Sequence, residues 1–469
     1  MARGPQETTH RQKVIREPMI TIVEPKEAIA KLWGKQKVRE SDTYRLMRYV
    51  LRVDHEGKVL LHNVVTGQLV VLSEEEARAL DQLPSAYTPT MEQLVSEHYL
   101  VPETFDEHQQ VVNLRSILFR MFDAQQSRDI IHYTILPTTA CNARCYYCFE
   151  QGCETVTMTE ETANDLVNFI ASHCGGKEVR LSWFGGEPTL ATRRIDQICE
   201  GLQRKNIEFV SDMTTNGYLF DEEMVNRAAA LWHLDHLMIC VDGTETNYNK
   251  IKAFPNVEGS PYQRVMRNID LLLDKGIRVH LRMNFDLGNY TDLPDLIHEV
   301  ISRFHKNPNL YLSVHPLFGE HRDYEGRILH ADETWFDQQI VELNALLESA
   351  GLLEQSEELP CLEFTGCQAT SHGSVAITAK GDLIRCPEQF GDDQVAGNII
   401  DGLTNSSIIE YWKEMANYDK CYDCCLFPIC ERHAHCLVKD LCCHYSSLLL
   451  QFQKTLERAH DRWKVKEDD

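Results

Sequence analysis

The spacing of apolar positions changes twice along this chain, and each change predicts a different kind of element. Tyr44 to Val53 is rich in β-forming residues and ends at the turn signal Asp54-His55-Glu56-Gly57. Lys58 to Asn63 and Gln68 to Leu72 continue the meander through Thr66-Gly67. Three helix starts follow, each with a Ser or Thr three residues ahead of Glu or Gln: Ser73 with Glu76, Thr90 with Gln93, and Thr104 with Glu107. Short strands followed by short helices predict a compact α+β module over residues 41–126. Residues 1–40 carry mixed charge without a clear period and read as an arm.

After Ile131 apolar runs alternate with amphipathic segments. The runs Ile131 to Leu136, Val179 to Trp183, Glu208 to Thr214, His236 to Val241, Arg278 to Asn284 and Leu310 to Val314 predict strands. Ala163, Leu166, Val167 and Ile170 recur at helical spacing between the first two, as do Leu293, Leu296, Ile297 and Val300 later. Six strand–helix units imply a complete or partial parallel barrel over residues 127–330, with its active site at the C-terminal ends of the strands.

Composition narrows the class. The 469 residues exceed one ordinary core, and 43% hydrophobic with 25% charged residues is a globular balance. The N-terminus is polar and no run of about 18 apolar residues occurs, so a cytoplasmic chain without a membrane anchor is expected. A formal charge of −24 argues against a nucleic-acid partner. Seventeen cysteines, an odd number without a secretion signal, point to metal or cluster ligation rather than to disulfides. Three sit at Cys141, Cys145 and Cys148 and ten crowd between Cys361 and Cys443; Cys153, Cys174, Cys199 and Cys240 are scattered and read as small buried hydrophobes.

Cys141-Asn-Ala-Arg-Cys145-Tyr-Tyr-Cys148 directly follows the first predicted barrel strand. Three thiolates on one loop can hold three irons of a [4Fe–4S] cube and leave the fourth open. A structural zinc site favours four ligands and more regular CxxC pairs. CxxxCxxC with an aromatic residue, Tyr147, before its last cysteine resembles the signature of the radical S-adenosylmethionine (SAM) superfamily. Gly185-Gly186-Glu187-Pro188 after the second strand resembles that family's GGE motif, and Thr214-Thr215-Asn216-Gly217 its Thr-Asn-Gly turn. Cys240-Val241-Asp242-Gly243 is similar to its Ser-x-Asp-Gly, with Cys240 replacing the serine.

The resemblance implies that SAM binds the open iron and is cleaved by one electron to a 5′-deoxyadenosyl radical. It implies SAM contacts from Tyr147, Gly185, Gly186, Glu187, Asn216 and Asp242. Arg282, on the fifth strand, is a candidate for the SAM carboxylate or ribose, with a rim salt bridge as the alternative.

The spacing Cys361-x5-Cys367, then Cys386 and Cys421-x2-Cys424-x5-Cys430, resembles the SPASM domain of radical SAM peptide and protein maturases. That resemblance implies two auxiliary [4Fe–4S] clusters in a C-terminal domain over residues 331–469 with bridging and terminal helices. One would use Cys361, Cys367, Cys386 and Cys436, the other Cys421, Cys424, Cys430 and either Cys442 or Cys443. Cys425 is a further candidate, His433 and His435 could substitute but read as surface residues, and zinc remains an alternative for this group.

The module at 41–126 resembles the winged-helix-like PqqD-type element that holds leader peptides by adding a strand to a sheet edge; a structural domain covering the barrel is the other reading. Residues 41–110 hold 5 basic and 12 acidic residues, which disfavours DNA. The expected fold is therefore α/β: a partial (β/α)6 TIM-like barrel between an N-terminal winged-helix-like module and a C-terminal iron–sulfur domain. The expected function is maturation of a ribosomally made precursor peptide by a crosslink, a thioether by preference, with flavodoxin or ferredoxin as electron donor. A formylglycine-generating sulfatase maturase is the alternative enzyme; there Glu388, after Pro387, would replace the aspartate that normally follows the Cys386 position as general base. A non-catalytic iron–sulfur peptide-binding or redox-sensing protein is the alternative of another class.

Overall fold

The computed structural model describes residues 19–304, 307–317, 321–322, 328–329, 333–353, 357–363, 367–389, 391–436 and 445–468. Cys442, Cys443 and the first 18 residues of the expected arm lie outside the described residues.

The chain opens with β1 (Ile20–Val23) and α1 (Glu27–Trp33), so part of the expected arm is ordered and its strand joins a sheet. β2 (Thr43–Leu46) and β3 (Val50–His55) replace the single strand expected from Tyr44 to Val53. Met47, Arg48 and Tyr49 turn the chain between two sheets, because β2 pairs with β6 (Ser85–Ala86) and β7 (Leu100–Pro102), whereas β3 pairs with β4 (Lys58–Asn63). With β5 (Leu69–Val71) the larger sheet runs β1-β5-β4-β3.

Of the three expected helix starts only Ser73 caps as read. It opens α2 (Glu74–Leu80) with both bonds of a capping box formed. Thr90 instead lies inside a 3-10 turn that begins at Pro89 and leads into α3 (Glu92–Ser96), and its hydroxyl donates to Glu75. Asp106, not Thr104, caps α4 (Glu107–Gln125), accepting from the Gln109 amide.

All six expected barrel strands form: β8 (His132–Ile135), β9 (Val179–Trp183), β10 (Phe209–Thr215), β11 (Leu234–Cys240), β12 (Arg278–Phe285) and β13 (Leu310–Pro316). They pair in sequence order and in parallel. The crossovers are α5 (Glu160–His173), α6 (Thr192–Arg204), α7 (Glu222–Ala230), α8 (Glu245–Lys252) with α9 (Pro261–Asp274), and α10 (Leu293–Phe304). Along β9 and β10 burial alternates residue by residue. One face is sealed under the helices and the other, half-buried and polar, lines a lumen.

Beyond the barrel come β14 (His321–Arg322), β15 (Ile328–Leu329) and α11 (Glu333–Ser349). β16 (Ser374–Ile377) then returns to pair in parallel with β8, and β17 (Asp382–Ile384), β18 (Val395–Asn398) and β19 (Gly402–Leu403) extend the sheet antiparallel to ten strands. α12 (Ser406–Trp412) and α13 (Tyr445–Asp468) complete the chain. Leu362, Phe427, Leu456 and Ala459 from this last third pack into the same apolar cluster as Tyr49, Leu60, Tyr99 and Leu114 of the N-terminal module. Among the described residues no helix is long and apolar enough to cross a membrane.

Candidate functional site

The loop after β8 carries the three motif cysteines, each half-buried and none in a disulfide. Its two limbs are tied by Thr139 N donating to Val156 O and Met158 N to Pro137 O, both at 2.9 Å. Within it Cys148 N donates to Cys145 O at 3.1 Å and Ala143 N to Cys141 Sγ at 3.4 Å. Burial pushes all three thiols up, Cys145 to about 11, and each feels the charge of another. Thiols pushed up by burial are what ferrous or ferric iron converts to thiolates, since the metal supplies the missing positive charge. The donor set therefore fits a cube held by three cysteines.

The Gly-Gly-Glu turn after β9 is pressed against this loop. A Cβ on Gly186 would lie 2.4 Å from the Ala140 carbonyl oxygen, so only glycine permits the approach. Gly186 N donates to Thr138 O at 3.1 Å and Glu187 N to Ala140 O at 2.8 Å. These two motif amides thus grip the cluster loop. Gly185, at φ +105°, turns the chain to deliver them. Glu187 is fully buried and its carboxylate accepts from Thr189 N at 3.1 Å, the Thr189 hydroxyl, Thr215 Oγ1 at 2.8 Å and Asn216 N at 2.8 Å. Burial raises its pKa while these four donors favour the charged form. Asn216 then reaches Asn142 Oδ1 of the cluster loop at 2.7 Å.

Asp242, at the end of β11, is fully buried in a cluster that sequence reasoning missed. Its Oδ2 pairs with Lys252 Nζ at 2.6 Å and accepts from the Tyr147 hydroxyl; Oδ1 accepts from Asn284 N at 3.0 Å and Asn284 Nδ2 at 3.1 Å. Lys252, the last residue of α8, also donates to Tyr147 Oη at 2.8 Å, and its carbonyl accepts from Arg144 N of the cluster loop at 2.7 Å. Burial opposes the ammonium, but the Asp242 carboxylate holds it charged, well above the usual lysine range. Burial and then Asp242 push the Tyr147 phenol far up, so it stays neutral. Nothing local distinguishes Lys252 from Lys250; the only signal is the fold that brings α8 beneath the loop.

Arg282 lies across from Cys240 in the β11–β12 register. Its Nε donates to Asn284 Oδ1 at 2.9 Å and its two terminal nitrogens make no hydrogen bond among the described residues. Cys240 is half-buried and its charge acts on Cys145; Cys153 is exposed. The expectation of small buried hydrophobes therefore holds for Cys174 and Cys199 only. Deeper in the lumen His280, His236 and Tyr311 stack, with Tyr311 Oη 2.6 Å from His236 Nε2 and His280 Nε2 2.7 Å from Ser313 Oγ. Burial holds His280 down to about 4.

In the C-terminal third, Cys367, Cys386 and Cys436 act on one another, and burial pushes Cys386 up to about 11. The charges acting on Cys361 are instead Lys26, Glu363 and Glu358, and its Cβ would lie 2.9 Å from a Cβ on Gly67 of the N-terminal module. Cys421 and Cys430 act on Arg115 of α4, and Cys424 on Tyr49. Arg115 is buried and donates to the carbonyls of Phe427, at 2.8 Å, and Cys430. The second cysteine group is thus seated on the N-terminal module. Glu388 is exposed and adds its charge to Cys386. His433 is 5% exposed, so it is no surface residue, and among the described residues neither ring nitrogen is hydrogen-bonded; His435 pairs with Glu414 at 2.9 Å.

Residues 135–300 match the Radical SAM superfamily, whose members use SAM and a [4Fe–4S] cluster. The probable GTP 3′,8-cyclase of Methanococcus maripaludis is 28% identical over 161 residues, 34% of this chain and 50% of the relative. That of Saccharolobus solfataricus is 32% identical over 151 residues, 32% and 45% of the two chains. The chain thus spans about half the length of the curated relatives it matches. The solved structure of anSMEcpe with bound AdoMet superposes with a TM-score of 0.55 at 16% identity, covering 71% of this chain and 98% of that one. The same protein with AdoMet and the Cp18Cys peptide gives 0.55 at 16%, covering 72% and 99%. At that identity the likeness is one of fold.

Proposed function

We propose that this chain, whose barrel carries a radical SAM domain, is a peptide maturase that abstracts hydrogen from a leader-bound precursor and installs a crosslink, a thioether by preference. The observation that carries the reading is a loop of three half-buried thiols after the first strand of a parallel barrel, with the terminal nitrogens of Arg282 unbonded among the described residues and a cysteine-rich tail docked on a separate small module. When bound, SAM on a reduced cluster supplies the hydrogen-abstracting radical chemistry. The chain's residues position and exclude. Cys141, Cys145 and Cys148 hold iron, the Gly186 and Glu187 amides lock the loop, Lys252 and Asp242 fix Tyr147, and Arg282 is free to pair with a carboxylate of SAM or substrate.

A peptide substrate is supported by the fold likeness to a protein solved with a peptide bound. It is also supported by the cysteine-rich C-terminal third, whose spacing from Cys361 to Cys430 resembles that of peptide and protein maturases. Cys367, Cys386 and Cys436 would hold one auxiliary cluster and Cys421, Cys424 and Cys430 another, with a small flavodoxin or ferredoxin delivering electrons. Anaerobically reconstituted protein, given SAM and dithionite, is expected to release 5′-deoxyadenosine, and a co-expressed precursor peptide to lose two hydrogens. Equal 5′-deoxyadenosine from a Cys141→Ala/Cys145→Ala/Cys148→Ala variant would remove the catalytic reading. An unmodified peptide beside active SAM cleavage would remove the crosslinking one.

A further inference from the structure

The turn between β3 and β4 meets α13 at a cluster the proposed chemistry does not use. His55 ends β3, Glu56 stands in the turn at φ +48°, and His460 and Asp461 are neighbours on α13. One ligating atom from each of the four lies within 4.8 Å of the others. His55 Nε2 is 2.7 Å from Asp461 Oδ1, and the two imidazoles meet edge-on with centroids 5.4 Å apart. Glu56 Oε2 accepts from Lys464 Nζ at 2.6 Å.

His460 makes this more than a surface ion pair. The residue is 2% exposed, and among the described residues its Nδ1 accepts or donates no hydrogen bond; Asp461 Oδ1, at 3.7 Å, is near enough only for a charge pairing. A buried polar atom left without a partner calls for a ligand the chain itself does not provide. The atoms around it are those a metal takes: two imidazole nitrogens and two carboxylates, whose combined charge neutralises a dication.

We propose that His55, Glu56, His460 and Asp461 form a binding site for a borderline divalent cation of the zinc class, clipping the β3–β4 turn to the last helix. Imidazole donors select against calcium and magnesium, and a four-ligand nitrogen–oxygen set suits tetrahedral zinc. Glu56 and Asp461 are exposed, so the ion enters from solvent, and Lys464, itself half-exposed, turns outward as Glu56 changes partner. The site joins residues about 400 positions apart in sequence, so occupancy ties the N-terminal module to the C-terminal helix.

The test uses the full chain with its iron–sulfur clusters reconstituted, so that the cluster cysteines are already occupied. After brief chelation the protein is titrated with zinc, and bound zinc and the unfolding midpoint are followed for wild type, His55→Gln and Asp461→Asn. Neither substitution touches the buried His460, and Asp461 is the more exposed of the two sites. Wild type should hold one zinc per chain more than either variant, and its midpoint should rise by several degrees with zinc while theirs do not. Zinc-edge absorption should show nitrogen or oxygen scatterers at about 2.0 Å. Equal zinc content in the three proteins, or sulfur scatterers at about 2.3 Å, would overturn the proposal.

Discussion

Lys252 and Asp242 form a buried ion pair that holds the cluster loop and could not be read from the sequence. Their side chains are 3% and 0% exposed, so removing either partner strands a charge out of water. Lys252→Met is expected to destabilise the protein by about 3–5 kcal/mol. Lys252→Met/Asp242→Asn should be markedly less destabilised, because no charge is left stranded. Denaturant unfolding of the two singles and the double measures the coupling; additive losses would mean that the pair acts independently. Tyr147 was visible because its place beside Cys148 is a local pattern. Its partners lie 95 and 105 residues away, and no local pattern encodes such a contact.

Helix starts show the same divide at the scale of elements. Ser73 and Glu76 satisfy each other across three residues and could be read directly. Near α4 two candidate caps compete, and the turn closed by Phe105 N on Pro102 O decides for Asp106. Asp106→Ala should therefore cost about 1 kcal/mol of stability and Thr104→Ala close to nothing, as read from the shift in urea midpoint. The reverse order would restore Thr104 as the cap. The barrel strands were legible to within two residues because each is a β-forming run with one face sealed under the helices. Between Tyr44 and Val53 an equally β-rich run is cut at Met47, since the two halves satisfy their backbone in different sheets.

For the whole molecule, the N-terminal module and the C-terminal third share one apolar cluster. Leu362, Phe427, Leu456 and Ala459 are buried against the module, and Arg115 ties it to the loop before Cys430. A chain lacking residues 1–126 is therefore expected to aggregate and to lose auxiliary iron. Size-exclusion chromatography and iron content check this, and a monodisperse truncated chain with full iron would show that the module is dispensable to the tail.

The sequence by itself determined the parallel barrel, the position of Cys141, Cys145 and Cys148 at a strand's end, and the cysteine-rich tail. Each of these is written in short-range spacing: a run of apolar residues, a three-and-two interval between thiols, a turn that only glycine can make. Tertiary structure alone decided that Glu187 and Asp242 are locked by protein donors, that β16 prolongs the barrel sheet, that Cys361 lies against Gly67 while Cys367, Cys386 and Cys436 gather, and that His55 meets His460. Those outcomes depend on which distant segments share a buried surface, and burial sets the cost of every unpaired charge and polar atom within it.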